Sequence, residues 1–350
     1  MEAANDAQIA MLIKAREMPE SDTAVAAPFD VPVEATRRAL TAEEKAIFDH
    51  DGYVVLKNFF SKEEIAALVG CMERDPLVMG SPSDGTLGKN ISVPDADGRD
   101  TKLTLWWYFG EDSWGQAGRG ASMVKIASDL MGGAEPFHSH TKIILKEPRK
   151  GGAWEWHQDF GYWYAQGLNH PDGIVSAIIA LDNNTRANGA LKLLRRSHKL
   201  GRLDHGVYGG QAGADPGRVL AAMKLPGYDV RPLLLEPGDV AFTHSNVLHA
   251  SSPNLSENWR RNVVIVYNSR ENQPLPIDPP VQPNYNPIGV VADTALLEKG
   301  CIFLSNDNDF MGQSEAEEAV DNNKNAPLVR EDEKDESHLA ETVRGTHIEL

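Results

Sequence analysis

Cysteine is almost missing from this chain: of 350 residues, Cys71 and Cys301 are its two cysteines. Two cysteines make no disulfide framework and no Cys-x-x-Cys metal site, and they fit a reducing cytoplasm. Long hydrophobic runs are missing too. Apolar stretches such as 174–181 fall far short of the roughly 20 residues that span a bilayer. The opening MEAANDAQIAMLIKAREMPESD lacks a basic start followed by an apolar core, so no secretory signal is expected. Basic charge is in deficit, with 34 Lys and Arg against 51 Asp and Glu, a net charge of −17. Such a chain repels phosphate backbones and anionic membranes, which argues against nucleic acid and membrane partners. Part of the acidic excess sits in EAEEAVD and REDEKDE, which read as a solvated tail.

What is present suits one large β-rich domain. Residues 1–40 read as a peripheral arm, partly helical over 8–16, residues 41–312 as a single domain, and residues 313–350 as a weakly structured acidic tail. Thr41-Ala-Glu-Glu and Ser61-Lys-Glu-Glu are capping boxes that open helices, and Asp51-Gly52 turns the first into a short strand, Tyr53-Val-Val-Leu. Beyond residue 100, strand-like pieces recur between Gly/Pro turns: 103–109, 141–146, 153–159, 174–181, 190–194, 231–235, 240–243 and 262–268. Helices are expected there over 122–131 and 216–223. Many short strands argue for a sandwich or barrel. The proline-rich stretch 271–289 is expected to run over the surface.

The chemistry-bearing residues fall in two clusters. In Trp154-Glu-Trp-His-Gln-Asp-Phe, strand alternation points His157 and Asp159 the same way, so both can grip one ion. The same alternation sets Trp154 and Trp156 on the opposite face, as packing. An imidazole and a carboxylate suit Fe(II), and a second histidine would complete a facial triad with open positions. By itself His-x-Asp is weak evidence, since chance His–acid neighbours such as His50-Asp51 are common. The second cluster, Glu236-Pro-Gly-Asp-Val-Ala-Phe-Thr-His-Ser-Asn-Val-Leu-His-Ala-Ser-Ser-Pro-Asn, offers two candidates for the third ligand, His244 and His249. Arg260 follows at the start of an apolar strand. It could clamp a carboxylate bidentately, or lie on the surface beside Arg261.

In order and spacing these pieces resemble the phytanoyl-CoA dioxygenase family, including its ectoine hydroxylase branch, over residues 45–273. Phe48-Asp-His-Asp-Gly-Tyr-Val-Val-Leu looks like the family's opening strand and Trp156-His-Gln-Asp-Phe like its first ligand motif. Asn188-Gly-Ala-Leu with Ser197-His198-Lys resembles its middle segment, and Gly238-Asp239 through Leu248-His249-Ala-Ser-Ser-Pro-Asn to Arg260 its second ligand and co-substrate motif. The resemblance implies a mostly β fold, a double-stranded β-helix (jelly-roll) core with flanking helices. It implies Fe(II), 2-oxoglutarate and O2 as cofactors and co-substrates. It gives the third ligand position to His249 and leaves His244 structural. It puts Arg260 on the 2-oxoglutarate carboxylate, assisted by Ser251, with Lys142 and His140 as further co-substrate contacts. Arg195-Arg196 stands where the family has Pro-Gly, which alters a turn. Phe160-Gly-Tyr-Trp-Tyr departs from the ectoine hydroxylase pattern and puts that substrate in doubt.

The expected function is therefore a cytoplasmic 2-oxoglutarate-dependent hydroxylase of a small polar metabolite, releasing succinate and CO2. Related halogenases lack the carboxylate at Asp159, so its presence favours hydroxylation. Tyr162, Trp163 and Tyr164 are expected in a loop at the mouth of the site, where aromatic rings hold an apolar chain or a cation. The same fold acting on an acyl-CoA or lipid-like substrate is the alternative; a Zn(II) or Mn(II) jelly roll without oxygenase activity and a vestigial binding module are the rivals. Whether the chain is a monomer or homodimer is left open.

Overall fold

The computed structural model of the protein describes Phe29, Val31, residues 35–80, 90–276 and 281–305, and Asn308. The arm helix expected over 8–16 and the tail over 313–350 lie outside the described residues.

Both capping boxes form. Thr41 Oγ1 accepts the Glu44 backbone N–H and the Glu44 carboxylate accepts that of Thr41, opening α1 (Ala42–Asp51). Gly52, at φ 85°, ends this helix in the left-handed conformation and starts β1 (Tyr53–Leu56) one residue later. Ser61 and Glu64 repeat the device at α2 (Lys62–Met72). The chain continues through α3 (Pro76–Met79), β2 (Asn90–Pro94), β3 (Asp100–Trp106), α4 (Ser113–Gly118) and α5 (Ala121–Leu130). Then come β4 (Pro136–Lys146), β5 (Trp154–His157), α6 (Asp159–Ala165), β6 (Ile174–Ala180) and β7 (Leu191–Leu194). The hairpin β8 (His205–Tyr208) and β9 (Gln211–Ala214) precedes α7 (Pro216–Met223), β10 (Val230–Pro232), β11 (Val240–His244), β12 (His249–Ser251), β13 (Arg260–Ser269) and α8 (Ala295–Lys299). Each strand expected from turn signals has a counterpart. Strand β2, the β8–β9 hairpin and β12 are additions, too short or too polar to show as hydrophobic alternation.

Apart from the two-stranded β8-β9 hairpin, the strands form two antiparallel sheets, β1-β11-β6-β13-β4-β3-β2 and β10-β7-β12-β5. They face one another as a double-stranded β-helix. The pleat sorts side chains between two cores. On β6, Val175, Ala177 and Ile179 join Val263 and Ile265 of β13 beneath the helices, where Leu68 and Met72 of α2 and Met123 and Ile126 of α5 cover them. Ile174, Ile178 and Ala180 face the other way and meet Leu193 of the second sheet, with Val264 and Val266. Strand β6 is buried along its whole length because both of its faces are covered, so its sequence is a continuous apolar run.

Two expectations need correction. Cys71 and Cys301 are joined in a disulfide with Cα atoms 5.4 Å apart, ordinary spacing for such a bridge. The bond ties the chain after α8 onto α2, and Leu304 settles nearby, donating its N–H to the Asp75 carboxylate. A separation of 230 residues hid this pairing from sequence inspection. The proline-rich stretch does not stay on the surface throughout: buried Gln282 accepts from Ser139 Oγ and donates to the Gln166 side chain. No helix of the described residues is long and apolar enough to cross a membrane.

Candidate active site

Between the two sheets lies a cavity of about 630 Å³, within the size range of small-molecule sites. Its polar end is built on β5 and β12. These strands pair with His157 directly opposite His249, and their imidazole centroids are 4.1 Å apart. Both rings are fixed the same way. His157 Nδ1 donates to Glu155 O at 2.7 Å and His249 Nδ1 donates to Val247 O at 2.9 Å. A carbonyl only accepts, so each Nδ1 carries the proton and each Nε2 keeps its lone pair for a metal. Asp159 reaches the same point: its carboxylate lies 3.8 Å from His157 Nε2, and the candidate ligand atoms of all three residues lie within 4.8 Å of one another. Gln158, between the two ligands, is fully buried. Its amide donates to Gly201 O and Asn246 O and accepts from Leu203 N, which locks the turn from β5 into α6.

Electrostatics prepare these groups for a dication. Burial holds the His157 imidazole well below its ordinary pKa, and His249 adds to that; burial likewise lowers His249. Both rings are neutral near pH 7 and available as ligands. Burial alone would raise the Asp159 carboxyl, but its charged neighbours, led by Lys142 at 3.5 Å, outweigh it, so Asp159 stays ionised.

The other end of the polar region is cationic. Arg260 and Arg261 are sequence neighbours that the pleat sends to opposite faces. Arg261 points outward and is held by Asp182 and Glu73, with contacts of 2.8 Å to each. Arg260 points inward with Val264, lines the cavity, and its buried Nε has no hydrogen-bond partner among the described residues. Burial lowers its pKa to about 10, which leaves the guanidinium charged. Ser251, one pleat repeat from His249, also lines the cavity, and its hydroxyl accepts from Lys146 Nζ at 2.7 Å. Lys146 pairs across the sheet with Arg260 and is fully buried. Its alternation with Lys142 on β4 was a readable signal that sequence analysis left unused.

The pleat turns His244 away from the cavity. On β11, Val240 and Phe242 face the helix layer, and His244 shares their side, 6.2 Å from the Phe48 ring. Its Nδ1 accepts the Asn246 N–H and its Nε2 lies 2.9 Å from the Asp172 carboxylate. His140 and Lys142 both line the cavity. Around the aromatics the expectations need revision. Tyr162, Trp163 and Tyr164 lie on helix α6 and not in a loop. Trp163 and Tyr162 line the cavity, the Tyr162 hydroxyl donating to Ala212 O of the hairpin. Tyr164 is 48% exposed, outside the cavity, under the Arg202 guanidinium. Trp156 packs away from His157, as alternation requires, but Trp154 lines the cavity. Two steps along β12 oppose three along β5, a bulge that brings Trp154 round to the His157 face.

The middle motif is structural. Ser197 Oγ accepts the Leu248 N–H and donates to Leu194 O, which positions the residue before His249. Gly189, at φ 77°, lies so close to Ser252 O that a Cβ there would be 2.2 Å from it. Arg196 adopts φ 70°, so the turn keeps a glycine-like backbone without a glycine.

Histidines held neutral by burial make the fold acid-sensitive. Burial lowers His138 to about 3 and His205 to about 4, against about 6.5 in an unfolded chain. Below pH 6.5 the unfolded chain binds protons that the folded one does not, so stability is full above that pH and falls toward pH 4. Each group contributes up to about 1.4 kcal/mol per pH unit in that window. Urea unfolding of metal-free protein at pH 7.5, 6 and 5 should show the midpoint falling progressively; a flat profile would mean that these rings ionise without penalty.

A double-stranded β-helix with two histidines and a carboxylate at one end of its cavity, and an unpaired arginine further in, defines a non-haem iron oxygenase of the 2-oxoglutarate-dependent class. Residues 48–262 match the model of the phytanoyl-CoA dioxygenase (PhyH) family, and the chain belongs to that family. It is a 2-oxoglutarate-dependent dioxygenase that uses Fe(II), 2-oxoglutarate and O2. Among curated relatives, the ectoine dioxygenase of Bordetella parapertussis is 26% identical over 254 residues, covering 67% of this chain and 77% of that protein. The L-proline trans-4-hydroxylase of Streptomyces griseoviridis is 30% identical over 174 residues, 45% of this chain and 64% of that one. Among solved structures, EctD from S. alaskensis with 2-oxoglutarate and 5-hydroxyectoine has a TM-score of 0.56 at 22% identity, covering 74% of this chain and 88% of that chain. This likeness shows the shared fold.

Proposed function

We propose that this dioxygenase hydroxylates a small metabolite, with iron held by His157, Asp159 and His249 and the distal carboxylate of 2-oxoglutarate held by Arg260 and Ser251. The carrying observation is Arg260: a buried guanidinium with a partnerless Nε, in the same cavity as the triad. A charge buried without a counter-ion is costly, and a carboxylate that docks there relieves the cost. Lys146 supports Ser251 in this role. Burial and the Arg260 guanidinium push the Lys146 amine well below its ordinary pKa, and its Nζ donates to Ser251 Oγ and to Ser252 O, which leaves the Ser251 proton free to point at an anion in the cavity. When bound, iron and 2-oxoglutarate supply the activation of O2, with succinate and CO2 as co-products.

The protein's own share is orientation and exclusion of water. Bonds from Nδ1 to backbone carbonyls fix both imidazoles, and Asp159 supplies the anionic ligand, which favours hydroxylation. Helix α6 and the hairpin cover the site, latched by the Tyr162 hydroxyl. Relatives named for ectoine, L-proline and hypophosphite are consistent with a small substrate. The test is anaerobic reconstitution with Fe(II) and 2-oxoglutarate, followed by a metabolite screen on admitting O2. Succinate formed in step with a hydroxylated product is expected. Hydrolysis or isomerisation supported by Zn(II) or Mn(II), without 2-oxoglutarate consumption, would overturn the reading; coupled hydroxylation confined to acyl-CoAs would replace the small metabolite.

A further inference from the structure

The cavity wall away from the triad is apolar. Ile91 and Val93 of β2, Leu103 and Leu105 of β3, and the half-buried Trp107 and Trp154 form a satellite cluster that, among the described residues, opens on the cavity. Strand β2 is the edge of the larger sheet, and its apolar side chains face the space. Apolar surface bordering a cavity favours a ligand whose own apolar surface covers it. Charge on the wall is one-sided. Among the described lining residues, Asp159 is the one carboxylate, and it belongs to the triad. Lys142 is on the wall as well. In the loaded site the iron dication, Asp159, dianionic 2-oxoglutarate and Arg260 cancel one another, which leaves the Lys142 ammonium in excess. A cation entering this site would meet like charge and find no free carboxylate. Three tryptophans line the cavity, two of them, Trp107 and Trp163, packed T-shaped with His140 at centroid distances of 5.7 and 5.4 Å; ring attraction for a cation would have to outweigh the like charge of Lys142 and the lack of a free carboxylate.

Building on the reading above, we infer that the substrate is a molecule with an apolar ring or chain as its body and no cationic group, covered by the β2–β3 wall and Trp154, with Lys142 facing its acceptor oxygen. This departs from the expectation of a small polar metabolite: of the two occupants the aromatic rings could hold, an apolar body is kept and a cation is excluded. It also separates this chain from relatives named for ectoine and L-proline, compounds that are small and zwitterionic.

The test uses the full-length protein loaded anaerobically with Fe(II) and 2-oxoglutarate, titrated by calorimetry with cinnamate, cinnamyl alcohol and cinnamylamine, and with ectoine and proline. These three cinnamyl compounds share one apolar body and differ in charge. Cinnamate and the alcohol should bind, the amine about tenfold or more weakly than cinnamate, and neither zwitterion more tightly than cinnamate. Val93→Asp, at a half-buried wall position, should weaken cinnamate about tenfold and improve the amine, while the 2-oxoglutarate titration stays unchanged. Trp154→Ala should weaken all three cinnamyl ligands and serves if Val93→Asp does not fold. Equal or tighter binding of the amine, tighter binding of ectoine or proline, or no binding of any cinnamyl compound would overturn the inference. A failure of 2-oxoglutarate to bind the Fe(II) protein would instead strike the proposed function.

Discussion

Arg260→Ala should raise the 2-oxoglutarate concentration needed for half-saturation by roughly thirtyfold to several thousandfold, while iron stays bound. The range corresponds to the roughly 2–5 kcal/mol lost when one partner of a buried charge pair is removed. Among the described residues no carboxylate pairs with Arg260, and its buried Nε has no hydrogen-bond partner. Arg261 cannot substitute, because Asp182 and Glu73 already hold it on the opposite face. Arg260→Lys should recover part of the loss, since the charge returns without the bidentate fork. Anaerobic titration of the Fe(II) protein reads the result. An unchanged curve would move the carboxylate to Lys142, the other cation of the cavity wall.

The second large effect separates two histidines only five residues apart. His249→Ala, like His157→Ala and Asp159→Ala, should abolish turnover and lower iron occupancy steeply, because each removes one of three converging ligands. His244→Ala should leave iron binding intact and cost some stability, since this ring packs against Phe48 and engages Asn246 and Asp172. Metal content after dialysis against Fe(II), measured for all four variants, decides the matter. Loss of iron from His244→Ala with retention in His249→Ala would reverse the assignment.

The contrast between these histidines marks how far sequence reading reaches. Local chemistry was legible: both capping boxes and the nine expected strands depend on neighbours a few residues away, and these form, although β5 ends at His157 and Asp159 opens α6, so the turn at Gln158 and not strand alternation brings Asp159 beside His157. For His244 against His249, and Arg260 against Arg261, the residues left the choice open, and it was the family resemblance that selected one of each. The physical reason for the selection is the phase of the pleat. Adjacent residues on a strand face opposite sides, and which side is the cavity depends on the partner sheet. Trp154 failed for a related reason, because alternation holds only where the ladder is regular and the bulge in β5 breaks it.

By itself, then, the sequence determined the β-rich class, the helix starts and the set of residues able to bind a metal, because propensity, capping and ligand type are properties of short segments. Tertiary structure decided the rest. It joined Cys71 to Cys301 across 230 residues, brought Gln282 inward from a proline-rich stretch and placed Lys146 behind Ser251. It also opened the β2–β3 face onto the site as an apolar wall. Each of these depends on contacts between segments far apart in the chain, where the packing of two sheets fixes which side chains meet and no local pattern records it.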